Sequence, residues 1–353
     1  MEIPAELEGA FVRVVSILLA LIAFCVRSSS AQVVPFVEPD DGRAPITNAM
    51  DAAGQSIDIY LFRLTDSGPG SITASLVGGA GRGVTVRALL EPCPGNTGCD
   101  PPLQEAIDAC SALQQGGAQV KWANQAYVKT HAKTILIDGV QGFVTTVNMV
   151  PNTFDSRRDY GVSTNDAAVI ADLNQVFSQD WQDDDPITDC NTQLPGDRPV
   201  DGSVKDYATL IVSPDHGREQ ILGLIASAQT SLKIHMEQID PQPSRGIIPA
   251  LVAAIRAGVR VQLLLTPPED QPDNLTAANA IIAAGGEALF ARNPRPHAKM
   301  MVIDGQSIFV GSQNLTRTSL DERREIGWVT ADLGTLTRFQ QVFDADWDGA
   351  SFP

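Results

Sequence analysis

The chain has 353 residues, 43% hydrophobic and 19% charged, enough for two modest domains or one large one, and this composition excludes both a disordered chain and a membrane bundle. Its formal net charge of −17 repels polyanions at long range and offers no general footprint for a nucleic-acid backbone, which disfavours DNA or RNA as the main partner.

In chain order, Val14 to Val26 is an apolar run of signal-peptide length, and Ser29-Ser30-Ala31 supplies small residues for cleavage before Gln32. Residues 1–31 are therefore expected to be a signal peptide and the mature protein to be secreted or periplasmic. Glu2, Glu6 and Glu8 make the leader irregular, so an uncleaved membrane anchor is the alternative. Four cysteines follow, Cys93, Cys99, Cys110 and Cys190, an even number that fits two disulfides with their connectivity open. Zinc is disfavoured, because there is no Cys-x-x-Cys pair and no histidine nearby.

The elements are most legible in the C-terminal half. Ile221 to Ala228 reads as an amphipathic helix, Ser231 to Met236 as a strand, Gly246 to Ala257 as a helix and Val259 to Leu265 as a buried strand, a βαβ crossover. Ala277 to Ala284 adds a helix, and Leu333 to Trp347 closes the half with another. The N-terminal half repeats this order. Pro39-Asp-Asp-Gly-Arg43 matches Pro214-Asp-His-Gly-Arg218, and Arg82-Gly-Val84 matches Ala257-Gly-Val259, both 175 residues apart. The predicted fold class is α/β: two similar α/β/α sandwich halves, residues 32–182 and 205–353, related by a pseudo-two-fold axis and joined by an Asp- and Pro-rich linker, residues 183–204.

Two stretches carry the chemistry. His131-Ala-Lys133-Thr-Ile-Leu-Ile-Asp138 and His297-Ala-Lys299-Met-Met-Val-Ile-Asp304 each place a His and a Lys two apart ahead of a buried-strand run and an Asp-Gly turn. Thr145-Thr146-Val147-Asn148 and Gly311-Ser312-Gln313-Asn314 follow, and a carboxylate lies beyond each Asn, Asp159 and Glu325; all of these pairs are 166 residues apart. Each copy gathers an imidazole, an ammonium and an amide. Two copies face to face would surround one phosphate with cations and donors and offer two imidazoles, one to attack phosphorus and one to protonate a leaving alkoxide.

The HxKxxxxD pattern, present twice and followed by GSxN in the second copy and by Thr-Thr-Val-Asn in the first, resembles the phospholipase D superfamily of phosphodiesterases, and the likeness extends over nearly the whole chain. The resemblance implies a covalent phosphohistidine mechanism without metal or other cofactor. By analogy with the family's first motif His131 is the nucleophile and His297 the general acid and base. Lys133, Lys299, Asn148 and Asn314, with Ser312 and Thr146 beside them, would bind the phosphate, and Asp159 and Glu325 would orient the imidazoles. Asp138 and Asp304, at the turn end of each strand, read as structural. His235, Trp181 and Trp347 read as packing residues, and Arg157-Arg158 and Arg323-Arg324 are left without a role.

The function expected first is hydrolysis of the distal phosphoester of a phospholipid, giving phosphatidate and a head-group alcohol, with transfer to another alcohol through the same intermediate. The expected partner is a phospholipid met in transient contact with a membrane surface, by a monomer. The alternatives are a secreted endonuclease of the same superfamily, a cardiolipin synthase-like phosphatidyltransferase and a non-catalytic phosphate-ligand binder. The last arises because Thr145-Thr146 replaces Gly-Ser, where glycine would allow close backbone approach.

Overall fold

The structure, a computed structural model, describes residues 31–95, 99–183, 187, 189–191, 194 and 207–352. The expected leader and most of the expected linker lie outside the described residues. The N-terminal half contains β1 (Val33–Glu38), α1 (Ala44–Ala52), β2 (Ser56–Leu61), α2 (Ile72–Gly81), β3 (Thr85–Leu90), α3 (Gln104–Gln115), β4 (Gln119–Trp122), β5 (Thr134–Ile137), β6 (Gln141–Thr145), α4 (Pro151–Ser156), β7 (Arg157–Thr164) and α5 (Ala167–Asp183). The C-terminal half contains β8 (Leu210–Ser213), α6 (Gly217–Ser227), β9 (Ser231–Met236), α7 (Ile247–Arg256), β10 (Arg260–Leu265), α8 (Asp273–Ala283), β11 (Glu287–Phe290), β12 (Arg295–Pro296), β13 (Lys299–Ile303), β14 (Ser307–Gly311), α9 (Arg317–Asp321), β15 (Glu325–Thr330) and α10 (Leu333–Asp348).

The first sheet runs β1-β7-β6-β5-β2-β3-β4 and the second β8-β15-β14-β13-β9-β10-β11, so the strand orders are equivalent. In each, three strands pair in parallel through helical crossovers (β2-β3-β4 and β9-β10-β11) and the others pair antiparallel, except that β12 of the C-terminal half joins the first sheet parallel to β7. The matching Gly-Val pairs have a physical reason: Gly83 and Gly258 take φ of +90° and +95° at the ends of α2 and α7, the left-handed turn that sends a helix back into a parallel strand.

The outer face of each sheet has its own core. Ile46, Met50, Leu76 and Leu113 from the helices meet Ile57, Ile59 and Val86 from the first sheet. Ile221, Ile225, Leu251 and Ile281 meet Ile234, Leu263 and Phe309 in the second. The inner faces share a third core, into which α5 sends Val169, Leu173, Val176 and Phe177 and α10 sends Leu336, Phe339, Val342 and Phe343. Because α10 packs against β1 as well as β14, the halves are fused through this layer. Trp181 and Trp347 stack on Phe177 and Phe343, as packing residues do.

Three features bear on the sequence expectations. His131 and Lys133 precede β5 and are not within it, whereas Lys299 opens β13 with His297 outside. The histidines are held by the opposite half: His131 N donates to Arg324 O at 2.8 Å and His297 N to Arg158 O at 2.9 Å. The arginines left without a role are thus divided. Arg158 and Arg324 are buried; Arg158 forms a bidentate pair with Asp346 on α10 (2.7 and 3.1 Å), and Arg324 bonds Asp180 on α5 at 3.1 Å. Each clamps its strand to the other half's long helix. Finally, the cysteines pair as Cys93–Cys99 and Cys110–Cys190, the second tying α3 to a segment 80 residues further along.

Asp138 and Asp304 lie at equivalent turns, Asp138 after β5 and Asp304 after β13. Each sits in the left-handed region (φ of 53° and 54°) ahead of a glycine, a turn of the type that Asp-Gly favours. The Asp138 carboxylate accepts from the backbone N–H groups of Gly54, Gln55 and Ser56, and that of Asp304 from Gln229, Thr230 and Ser231. The N–H of Ser231 and its neighbours hold the Asp304 carboxyl at a pKa of about 2. A depressed carboxyl stabilises the fold above its unfolded value near 3.8, and that contribution is lost as pH falls toward 2. Asp304→Ala is expected to lower stability at pH 7 by about 1 kcal/mol, discounted for solvent exposure, and to leave turnover intact. Thermal melts at pH 7 and pH 3 check this, the gap between variant and parent narrowing in acid.

Candidate active site

The site is built by exchange between the halves. His131 Nδ1 lies 2.8 Å from Glu325 Oε2, and His297 Nδ1 lies 2.7 Å from Asp159 Oδ1. Each imidazole is therefore oriented by the other half's carboxylate, which leaves Nε2 as the working nitrogen. Asn148 of the first half reaches the second-half ring, its Nδ2 lying 3.3 Å from His297 Nε2. Both lysines are buried, and each folds back to donate to the carbonyl of the preceding histidine, Lys133 to His131 O and Lys299 to His297 O, both at 2.7 Å. That turn keeps each ammonium beside its imidazole.

Burial and charge set the protonation states. Burial, reinforced by Lys133, Arg323 and Lys299, pushes the pKa of His131 well below the usual 6.5, so this ring is neutral and unprotonated at Nε2 when Nδ1–H faces Glu325. Burial likewise drives the Lys133 ammonium well below 10.5, partly offset by Glu325. Glu325 is raised by its own burial, with Lys133 pulling the other way.

Thr146 and Ser312 are corrected. Expected to bind phosphate, both are fully buried and turned toward the carboxylate strands instead. Thr146 Oγ1 donates to Asp159 Oδ1 and accepts from Tyr160 N at 2.9 Å, while Ser312 Oγ accepts from Ile326 N at 3.0 Å. The cause is local: each hydroxyl sits where the antiparallel ladder ends and takes up the next strand's free N–H. The Thr145 substitution also has a structural account. In the second half a Cβ on Gly311 would come within 2.5 Å of Gly327 Cα and 2.6 Å of Gln313 Oε1, so both the neighbouring strand's backbone and that side chain exclude it. In the first half Val147 replaces that Gln, and Thr145 fits, its Oγ1 accepting from Val147 N at 3.0 Å. His235 is wholly internal: it is buried, 3.1 Å from Tyr160 OH, and burial holds its pKa down at about 3.

Two residues escape a motif search. Glu237 Oε2 accepts from Lys299 Nζ at 2.6 Å and Asn314 Nδ2 at 3.1 Å and lies 3.8 Å from His297 Nε2. Burial would raise its pKa, but Lys299 and then His297 outweigh it and hold the carboxylate ionised. Its counterpart in the repeat, Phe62, packs edge-on against His131 at 4.4 Å and lies under Lys133 Nζ at 4.8 Å. The half-sites are thus unequal: Phe62 packs on His131 where an additional carboxylate, Glu237, stands beside His297. Among the described residues, no three His, Cys, Asp or Glu are grouped so as to hold a metal ion.

The duplicated α/β fold brings together two carboxylate-backed imidazoles and two buried lysines, a donor set suited to a phosphate group. The chain belongs to the phospholipase D superfamily: residues 46–181 and 221–347 match the family described as "Cardiolipin synthase, PLD-like domain". Among relatives, it is 24% identical over 264 residues to cardiolipin synthase A of Pseudomonas syringae, covering 67% of this chain and 53% of that one. It is 24% identical over 329 residues to cardiolipin synthase A of Klebsiella pneumoniae, covering 86% and 66%. The chain thus spans about half to two thirds of the length of these relatives. In fold it is similar to phosphatidylserine synthase of Haemophilus influenzae (TM-score 0.68, 12% identity, 91% and 87% covered). It is also similar to polyphosphate kinase of Porphyromonas gingivalis (TM-score 0.63, 14% identity, 90% and 50% covered).

Proposed function

We propose that this protein is a phosphatidyltransferase that moves a phosphatidyl group from one alcohol to another through a phosphohistidine. The two relatives named above, both cardiolipin synthases, support transfer over the hydrolysis expected first from the sequence, which becomes the side reaction with water as acceptor. The observation that carries the reading is the crossed pairing of each imidazole with the opposite half's carboxylate.

In this mechanism His131 Nε2 attacks phosphorus and the P–O bond to the leaving alcohol breaks, its oxygen taking the proton from His297 Nε2. An incoming alcohol then gives its proton to His297 and attacks the phosphatidyl-histidine, restoring both rings. Burial of His131 and the cations around it keep that ring unprotonated, which favours the nucleophile there. Lys133, Lys299, Asn148 and Asn314 take the phosphate oxygens, Lys299 and Asn314 leaving Glu237 as the anion enters. The acidity of the chain supports a lipid over a nucleic acid. The two disulfides support an oxidising compartment and so the export reading.

The test uses vesicles of phosphatidylglycerol, with and without a soluble primary alcohol, and single-stranded DNA in parallel, all in chelator. Phosphatidyl-alcohol and free glycerol are expected, with DNA uncut. Phosphatidate alone at every alcohol concentration would return the reading to a hydrolase, and cleavage of DNA alone would make it a nuclease.

A further inference from the structure

Behind His297 lies an acid for which the transfer reaction has no use. Glu38 ends β1 as the cross-strand partner of Asp159 on β7, so the two side chains leave the sheet side by side on one face. Glu38 is wholly buried, and the Gly42 N–H is the one donor that bears on its carboxyl, neither oxygen making a well-formed hydrogen bond. Asp159 is half satisfied. His297 Nδ1 and Thr146 Oγ1 occupy Oδ1, while Oδ2 is buried and bare.

The other half solves the same problem differently. Glu325 has Ser213 as its cross-strand partner, and both its oxygens are engaged, Oε2 with His131 and Oε1 with Ser319 Oγ at 2.7 Å. Asp159 thus lacks the donor that Ser319 supplies to Glu325, and an acid stands where the second half has Ser213.

Two adjacent buried carboxylates with three oxygens lacking a well-formed hydrogen bond cannot both carry charge, since the Gly42 N–H and the Arg43 charge only partly offset the lost hydration and the repulsion. The charges nearby help little. Arg158 is engaged with Asp346, Asp40 and the Glu38 carbonyl, Arg43 is paired with Asp66, and Asp41 adds negative charge. A single proton resolves the conflict by turning one of the acids into the missing donor.

We infer that Glu38 is a protonated positioning residue that donates a hydrogen bond to Asp159 Oδ2, forming a Glu38–Asp159–His297 chain behind the acid–base imidazole. Burial, and next the charge of Asp159, raise Glu38 to a pKa of about 8, which agrees with this assignment. When Glu38 ionises, a second negative charge appears behind His297 and the bond to Asp159 is lost. The chain rests on the reading of His297 as acid and base; the protonation of Glu38 does not.

Three proteins test it: wild type, Glu38→Gln, whose amide can still donate, and Glu38→Leu, which cannot. Wild-type turnover of a phosphodiester should fall with an alkaline limb near pH 8. Glu38→Gln should stay within about threefold of wild type at pH 7 and lack that limb, and Glu38→Leu should be reduced by about tenfold or more at every pH. Equal pH profiles for wild type and Glu38→Gln, or a Gln variant as impaired as the Leu variant, would overturn the chain. Infrared difference spectra of wild type against Glu38→Gln read the proton without any turnover. A protonated-carboxyl stretch should be present at pH 6.5 and gone by about pH 9.5. Its absence at pH 6.5 overturns the proposal even if no substrate is found, whereas its presence beside an inactive wild type would indict the transferase reading alone.

Discussion

His297→Asn is expected to lower phosphatidyl transfer by about 10³- to 10⁴-fold with little change in the fold. The ring supplies the proton to the departing alcohol in the first step and removes it from the incoming one in the second, so both barriers rise. Asn is close in size and can still face Asp159, the partner 2.7 Å from Nδ1, so the buried carboxylate keeps a donor. The loss should depend on the leaving group. With p-nitrophenolate, which departs without a proton, the first step should recover most of its rate while the second remains slow. Kinetics on both donors read this directly. Equal losses with alcohol and p-nitrophenol leaving groups would remove His297 from the role of acid.

Lys133→Met should separate activity from stability. The ammonium is buried, and burial has driven its pKa well below 10.5. Between the depressed value and 10.5 the unfolded chain binds a proton that the native state lacks, so wild-type stability rises with pH across that window. Methionine fills the volume beside Phe62 without a charge and should match or exceed wild-type stability at neutral pH, with that slope removed. Turnover should nonetheless fall by about 10²- to 10³-fold, because a phosphodiester entering the site restores the charge on Lys133 and is held by it in the transition state. Chemical denaturation from pH 6 to pH 10, beside kcat, checks both halves of the claim. A variant that is less stable and fully active would contradict it.

Much of this could be read from the sequence because the duplication is so regular. A pair of imidazoles, a pair of ammonium groups, a pair of amides and a pair of carboxylates all recur at one spacing, and strands such as Thr134–Ile137 and Ser231–Met236 end where their apolar runs end. The crossing was not legible. Asp159 lies nearer in sequence to His131, yet it serves His297, because each histidine hangs from the opposite half's Arg carbonyl, a contact with no local signature. Thr146 and Ser312 were misassigned because a hydroxyl beside a motif Asn looks like a ligand until the strand beyond it is seen to claim it. Glu237 was missed for the opposite reason. Comparison of the repeats finds only what they share, and its partner position holds Phe62. The signal was present, one residue past the strand ending in His235-Met236.

The proposed division of tasks between the two histidines rests on the inequality of the half-sites, and covalent trapping tests that proposal most directly. His297→Asn and His131→Asn would each be mixed with a p-nitrophenyl phosphodiester and quenched, and the proteins mapped by mass spectrometry. His297→Asn should accumulate a near-stoichiometric phosphoryl adduct on the imidazole of His131, and His131→Asn none. An adduct on His297 in the His131→Asn protein, with His297→Asn left unlabelled, would contradict the account.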